Sequence, residues 1–200
     1  MIERLARTLV DRPPRVIAIG ASAGAVEALM QLLPELPADL PVPVLVVVHV
    51  PAHRRSSLPQ LFERACTLPT REAEDKMRPE PSTVLFAAPD YHLLVEADGS
   101  LALSVDEPVH HSRPSIDVLL DSVAEAHGAD ALGIVLSGAS RDGAAGLAHL
   151  KTVGAHTWVQ SPETAAVAAM PRAALAEAPH VTLDPRAMGR AIATWRKYRG

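Results

Sequence analysis

The segment spanning residues 15–36, RVIAIGASAGAVEALMQLLPEL, constrains the fold more than any other part of the chain. Residues 16–19 form an unbroken apolar run, which predicts a strand covered on both faces. After a short turn, apolar side chains recur at the three-and-four spacing of a helix with one buried stripe. The turn therefore places Ser22 between a buried strand and an amphipathic helix, whose stripe consists of Val26, Leu29, Met30 and Leu33.

The turn itself, GASAG at residues 20–24, fits the G-x-S-x-G pattern of a nucleophile elbow. Its glycines allow strand and helix to approach closely, and the helix N-terminus directs amide hydrogens toward any negative charge formed at the serine. A phosphate-binding turn after a first strand looks similar, so that alternative stays open. A dinucleotide site fits less well, because G-x-G-x-x-G is absent and the second strand ends in a histidine instead of an acid.

The second apolar strand, residues 44–48, delivers His49 into the following loop. Residues 15–48 therefore predict a βαβ unit with two parallel strands. Ligands bind beyond the carboxyl ends of such strands, so Ser22 and His49 are expected at one edge of the sheet. His53 follows His49 at a spacing that can bind metal on a helix, but Pro51 intervenes and no acid or cysteine cluster is near, so we expect no metal site.

A third strand, residues 131–136, runs into a second glycine-rich loop that carries Asp142 and precedes a helix at 144–153. Asp before Gly is also a common turn former or helix cap. Three strand ends nevertheless supply a hydroxyl, an imidazole and a carboxylate, the groups that a nucleophile, its base and an orienting acid require. Their order, Ser, His, Asp, differs from that of α/β-hydrolases.

The rest of the sequence predicts an α/β fold: a doubly wound, mostly parallel, Rossmann-like sheet with an antiparallel portion, in three α/β/α layers. Residues 1–14 are expected to form an N-terminal helix or linker, and residues 15–200 one domain. Strands are expected at 83–88, 92–95 and 101–105, antiparallel in part, with 156–159 as the final strand. A polar loop at 106–113, with His110 and His111, is a candidate rim of the site. Further helices are expected at 57–64, 115–126 and 185–198.

The composition argues against several classes of protein, among them nucleic-acid-binding and membrane-spanning proteins. The net charge of −4 and the small number of aromatic residues, two each of Trp, Tyr and Phe, argue against a nucleic-acid partner. A single cysteine excludes an internal disulfide. No apolar run approaches the roughly 18 residues that a membrane span needs, and the N-terminus lacks a signal-peptide core, so a cytoplasmic location without membrane insertion is expected.

Several motifs in order resemble the catalytic domain of the CheB family of bacterial chemotaxis methylesterases. They are IGASAGAVEAL, VVVHVP, FAAPDYHLLV, RPSIDVLLDSVAEAHG, GIVLSGASRDGAAGL and WVQSPETAAVAAMPRAA, and they extend over residues 15–190. The resemblance implies that Ser22 is the nucleophile, His49 the general base and then acid, and Asp142 the residue that orients the imidazole. It implies hydrolysis of glutamyl methyl esters on the cytoplasmic region of chemoreceptors, with release of methanol, and deamidation of receptor glutamines. It implies no metal or organic cofactor.

The resemblance also implies an oxyanion site made of backbone amides, one at Ala139; the amide of Ala23 is our candidate for a second. The chain departs from the family at Ala25, where a glycine is usual, and at Ala139 and Ser140, where methionine and glycine are common. These departures bear on oxyanion geometry and substrate choice. Family members typically begin with a receiver domain, and none precedes Met1, so a stand-alone esterase, part of a longer chain and gating by a separate receiver protein are all open. The alternative functions are a catalytically weak binding or regulatory module and an esterase for another substrate.

Overall fold

A computed structural model of the chain describes residues 1–50, 56–178 and 180–199. The strands are β1 Val16–Ala21, β2 Val44–Val48, β3 Thr70–Glu72, β4 Val84–Phe86, β5 His92–Val95, β6 Leu101–Ser104, β7 Ala131–Val135, β8 His156–Gln160 and β9 Val181–Leu183. Within the described residues, the main sheet has seven strands, all parallel, in the order β3-β4-β2-β1-β7-β8-β9. A separate antiparallel hairpin pairs β5 with β6.

The central strands are buried on both faces, as their unbroken apolar sequences predict. Along β1, Ile17 and Ile19 enter one apolar cluster, whereas Val16 and Ala18 enter the other, because successive side chains of a strand point to opposite faces. The helices are α1 Ile2–Asp11, α2 Ala25–Leu32, α3 Leu58–Glu63, α4 Ile116–His127, α5 Ala144–Thr152, α6 Ala169–Glu177 and α7 Pro185–Arg199. The first cluster joins the sheet to α1, α2, α3 and α7, and the second joins it to α4, α5, α6 and the hairpin.

The strand order locates the expected ligand-binding edge. From β1 the chain first builds the sheet in one direction through β2 to β4, and then returns to the other side of β1 with β7. The order therefore reverses between β1 and β7, which is the switch point where open α/β sheets bind their ligands. The loops that carry Ser22, His49 and Asp142 follow β1, β2 and β7, so all three leave the sheet at this point.

The three-layer, mostly parallel fold with an antiparallel portion is confirmed, but two details differ from the sequence prediction. The segment at 156–159 is not the final strand, because β9 follows it. The edge strand β3 was not predicted. Both missed strands are three residues long and largely exposed, so they carry no apolar run. The expectation that the strands at 83–88, 92–95 and 101–105 are antiparallel in part is confirmed, since β5 and β6 pair antiparallel whereas β4 joins the parallel sheet.

Candidate active site

Ser22 is the first residue after β1 and lies in the turn that leads into α2. Its N–H donates to the carbonyl of Ser137 at 2.9 Å, and its own carbonyl accepts from the N–H of Ala25 at 2.9 Å. Gly24 adopts the left-handed conformation (φ 81°) that starts the helix, which a residue with a side chain rarely adopts. The turn thus holds Ser22 partly exposed at the end of a buried strand.

Buried hydrogen bonds of Ser137, the second residue after β7, hold this turn in place. The Ser137 hydroxyl donates to the carbonyl of Ala23 at 2.7 Å and accepts from the N–H of Val167 at 2.9 Å. The N–H of Ser137 donates to the side-chain oxygen of Gln160 at 2.8 Å. Both side chains are buried, so each hydrogen bond also removes the cost of an unpaired buried polar group. Neither Ser137 nor Gln160 was predicted from the sequence to belong to the site.

His49 lies beside Ser22 because β1 and β2 are paired in register. Ala21 pairs with Val48, so the next residue on each strand is Ser22 or His49. The N–H of His49 donates to the carbonyl of Ala21 at 3.2 Å, which continues the ladder by one step. The imidazole is only 14% exposed, and its Nε2 lies 2.7 Å from Oδ2 of Asp142.

Asp142 is fully buried, and four donors surround its carboxylate. Oδ2 accepts from His49 Nε2 and from the N–H of Ile116, both at 2.7 Å. Oδ1 accepts from the hydroxyl of Ser115 at 2.8 Å and from the N–H of Asp117 at 2.9 Å. Asp142 thus caps the N-terminus of α4, where unpaired amides and the helix dipole favour an anion.

These contacts set the charge of the acid. Burial alone would raise the pKa of the Asp142 carboxyl, but the hydrogen bonds from His49, the two backbone amides and Ser115 hold that pKa below its ordinary value. Asp142 is therefore an anion at neutral pH and accepts a proton-bearing Nε2. Because a neutral imidazole carries one proton, Nδ1 is then the basic nitrogen of His49.

A second carboxylate, Asp117, lies next to this site. Oδ1 of Asp117 accepts from the N–H of Gly146 at 2.8 Å, and Oδ2 lies 3.3 Å from Nε2 of His110. Burial and the nearby charge of Asp142 raise the pKa of Asp117, while the Gly146 amide and His110 oppose that rise. The sequence analysis named His110 only as part of the rim and did not single out Asp117; the unusual burial of an acid in the first turn of α4 is visible only in the folded chain.

The structure brings the three sequence-predicted catalytic residues to one edge of the sheet and joins two of them directly. Among the described residues, the Ser22 hydroxyl makes no hydrogen bond with His49. Ala23 and Ala139 are exposed, and within the described parts of the chain neither N–H donates to a protein acceptor. A cavity of about 450 Å³ opens beside the imidazole, between His49 and the 105–113 loop that follows β6.

The positions that depart from the family pattern have defined contacts. Ala25 is buried as the first residue of α2. Ser140 stands in the loop after β7, and its hydroxyl accepts from the N–H of Asp142 at 3.2 Å. A serine at this position thus adds a local turn that holds the backbone of the orienting acid, a contact that glycine does not make.

The described residues contain no group of three or more His, Cys, Asp or Glu side chains arranged to bind a metal ion. His53, which the sequence analysis considered with His49 for that role, lies outside the described residues. None of the described helices is both long enough and apolar enough to cross a bilayer.

The sheet, its switch point and the paired imidazole and carboxylate define an α/β protein with the side-chain set of a serine hydrolase. The family profile described as CheB methylesterase matches residues 17–192, and the chain belongs to that family. A Leptospira interrogans protein named as a putative protein-glutamate methylesterase/protein-glutamine glutaminase is 40% identical over 159 residues, which cover 80% of this chain and 82% of that protein.

A second relative and a solved structure show how much of the chain is similar to known proteins. A protein-glutamate methylesterase/protein-glutamine glutaminase of Anaeromyxobacter dehalogenans is 42% identical over 183 residues, covering 90% of this chain but 54% of the relative. The chain thus spans about half the length of this relative. The crystal structure of the CheB methylesterase catalytic domain of Thermotoga maritima superimposes with a TM-score of 0.83 at 28% identity, covering 90% of this chain and 97% of that domain.

Proposed function

We propose that this chain is a protein-glutamate methylesterase that also acts as a protein-glutamine glutaminase, with Ser22, His49 and Asp142 as its catalytic residues. The observation that carries the assignment is the 2.7 Å contact between His49 Nε2 and the buried Asp142, next to a serine that the strand register sets beside the histidine. Family membership and the names of the relatives support the reaction class.

The first half of the reaction forms an acyl-enzyme. Ser22 Oγ attacks the carbonyl carbon of the glutamyl methyl ester while His49 accepts the hydroxyl proton at Nδ1. Asp142 keeps Nε2 protonated and stabilises the imidazolium by its negative charge. The tetrahedral intermediate then expels methanol, which takes the proton back from His49. A glutamine substrate follows the same steps with ammonia as the leaving group.

The second half restores the enzyme. Water attacks the acyl carbon while His49 takes its proton at Nδ1. The bond to Ser22 Oγ then breaks as His49 returns that proton to Oγ, which releases a glutamate side chain and leaves Ser22 and His49 as they began. We assign the oxyanion site to the backbone amides of Ala23 and Ala139, since both residues are exposed within the loops that carry Ser22 and Asp142. One such donor is worth about 2.7–4 kcal/mol in the transition state.

The substrate follows from the same assignment. We propose the methylated cytoplasmic region of chemoreceptors as the partner, a cytoplasmic location for the enzyme, and a separate receiver protein as a candidate regulator. Residues 15–200 would form the catalytic unit. Neither nucleic acid nor membrane insertion has a part in this scheme.

The test is methanol release from a methyl-esterified chemoreceptor cytoplasmic fragment. We expect release by the wild-type chain, and loss of about 10³-fold or more in Ser22→Ala with folding intact. Ser100→Ala, in the turn between β5 and β6, is the matched control and should retain full activity. Release that persists in Ser22→Ala would remove the serine from the mechanism. A folded wild-type chain that releases no methanol would favour a binding module or an esterase for another substrate.

A further inference from the structure

The nitrogen of His49 that does not face Asp142 has a neighbour of its own. Ser112, in the 105–113 loop, places its hydroxyl oxygen 3.4 Å from Nδ1. This contact joins residues 63 positions apart in the sequence. By contrast, among the described residues the hydroxyls of Ser100 and Ser104 on the preceding hairpin bond only to Asp98 and Asp106, two residues away, as ordinary turn serines do.

The direction of this contact follows from the protonation of the ring. Since Asp142 accepts the proton of Nε2, Nδ1 carries the free lone pair and the Ser112 hydroxyl is the donor. A hydroxyl is also an acceptor. When His49 carries a proton at Nδ1, the same oxygen can accept a hydrogen bond from Nδ1–H after rotation of its own O–H bond, with no movement of heavy atoms.

Ser112 is held in place by a loop with many internal contacts. The N–H of Ser112 donates to the carbonyl of Val109 at 2.9 Å, and the N–H of Val109 donates back at 3.2 Å. Next to it, the Arg113 guanidinium donates to the Asp90 carboxylate at 2.7 and 3.0 Å and to the carbonyl of Val105 at 2.7 Å. These contacts leave the side chain of Arg113 only 22% exposed.

Two histidines fasten the same loop to α4. Nδ1 of His92 accepts from the N–H of Ser115 at 3.1 Å, which leaves Nε2 to donate to the carbonyl of Glu107 at 3.2 Å. His110 meets Asp117 at 3.3 Å. The helix end that binds Asp142 therefore also fixes the loop that carries Ser112, so the partners on both sides of the imidazole share one support.

From this arrangement we infer that Ser112 is a positioning residue, which holds the His49 imidazole between Asp142 and the 105–113 loop with Nδ1 ready for the proton of Ser22. The inference rests on the proposed function. The distance of 3.4 Å between Ser112 Oγ and His49 Nδ1 suits this role. A weak hydrogen bond holds the ring in the resting site and breaks readily when the Ser22 hydroxyl donates to Nδ1 instead. Without Ser112, the ring faces the adjoining cavity of about 450 Å³ on that side and gains rotational freedom.

The experiment compares Ser112→Ala with Ser112→Thr and with the control Ser104→Ala. The control removes the hydrogen bonds between Ser104, at the end of β6, and Asp106, and it leaves the contacts of His49 unchanged. We expect Ser112→Ala to lower kcat about 3- to 10-fold with KM little changed, since one weak hydrogen bond is lost at the base and none to the substrate. Ser112→Thr keeps the hydroxyl and should restore kcat, and Ser104→Ala should match the wild type.

Nitrogen NMR of the His49 ring supplies a readout that does not depend on turnover. In the wild type, Nε2 should be protonated and Nδ1 should show the shift of a hydrogen-bond acceptor; in Ser112→Ala only the Nδ1 resonance should move. An Nδ1 resonance unchanged by Ser112→Ala overturns the inference, as does an unchanged kcat or an equal loss in Ser104→Ala. If the wild-type chain releases no methanol, the proposed function fails, whereas the NMR comparison still decides whether Ser112 holds the ring.

Discussion

Replacement of Asp142 by asparagine tests the central contact of the site, because every partner of this carboxylate is a donor. Asparagine offers one carbonyl oxygen and one NH₂ group. If the NH₂ takes the place of Oδ2, it faces His49 and the N–H of Ile116. His49 must then accept at Nε2 and carry its proton on Nδ1, which removes the base that faces the reacting serine.

The other orientation has a different cost. If the NH₂ takes the place of Oδ1, it faces the hydroxyl of Ser115, which can reverse, and the N–H of Asp117, which cannot. The tautomer of His49 then survives, but the negative charge that stabilises its protonated form is gone. In both orientations one buried backbone N–H at the start of α4 loses its acceptor, which costs about 1–3 kcal/mol of folding free energy.

We therefore expect Asp142→Asn to lower kcat by ~10²- to 10⁴-fold and to lower the free energy of unfolding by about 1–3 kcal/mol at pH 7. The assays are methanol release and equilibrium urea denaturation. The matched control is Asp121→Asn, which changes a second His–Asp pair, the half-exposed 3.0 Å contact between Asp121 on α4 and His149 on α5, and should change neither quantity much.

The effect of Asp142→Asn on the free energy of unfolding should depend on pH. Because the folded chain holds the pKa of Asp142 below its ordinary value, the stability that the carboxylate contributes is complete above the unfolded pKa of about 3.9 and is lost as the pH falls through the folded pKa. The stability gap between wild type and Asp142→Asn should thus persist from neutral pH to about pH 4 and narrow only below it. A variant with wild-type kcat, or with an unchanged free energy of unfolding at pH 7, would refute the reasoning.

Two further predictions concern the scaffold. In Gly20→Ala the new Cβ would clash with Cγ2 of Ile116, so we expect the free energy of unfolding in urea to fall by about 1–3 kcal/mol. In a double-mutant cycle, Gly20→Ala should cost less in the Ile116→Ala background than in the wild type, and additive losses would contradict the clash. Burial, and after it the charge of Lys151, lowers the pKa of His180 to about 4 in the folded chain. Between about pH 6.5 and 4 the imidazole is therefore protonated in the unfolded chain but not in the folded one, so the free energy of unfolding falls as the pH drops through this range. His180→Asn should make the measured unfolding free energy fall less over that range, and parallel curves for the two proteins would exclude His180 as a source of the slope.

The core of the fold could be predicted from the sequence because its strands are marked locally. Residues 16–19 and 44–48 are unbroken apolar runs, and the helix between them has one apolar stripe, so the parallel pair and its carboxyl edge follow from burial and chain connectivity. The edge strands β3 and β9 lack that signal. They are three residues long and mostly exposed, and only hydrogen bonds to their neighbours make them strands.

The candidate site could likewise be predicted only in part from the sequence. The types and positions of Ser22, His49 and Asp142 were readable from strand ends, and the sequence motifs pointed to the family that the comparisons confirmed. The roles of these three residues and of the Ala23 and Ala139 amides stay predictions.

The tertiary structure alone decided which nitrogen of His49 meets Asp142 and that Ser112 lies by the other. It also showed that the first turn of α4 binds the acid, because the partners come from segments 93, 63 and 26 residues apart. A sequence pattern reports which residues are buried and where a strand or helix ends. The direction of a side chain depends on the packing of elements that are distant in the sequence, and it is fixed only when those elements come together.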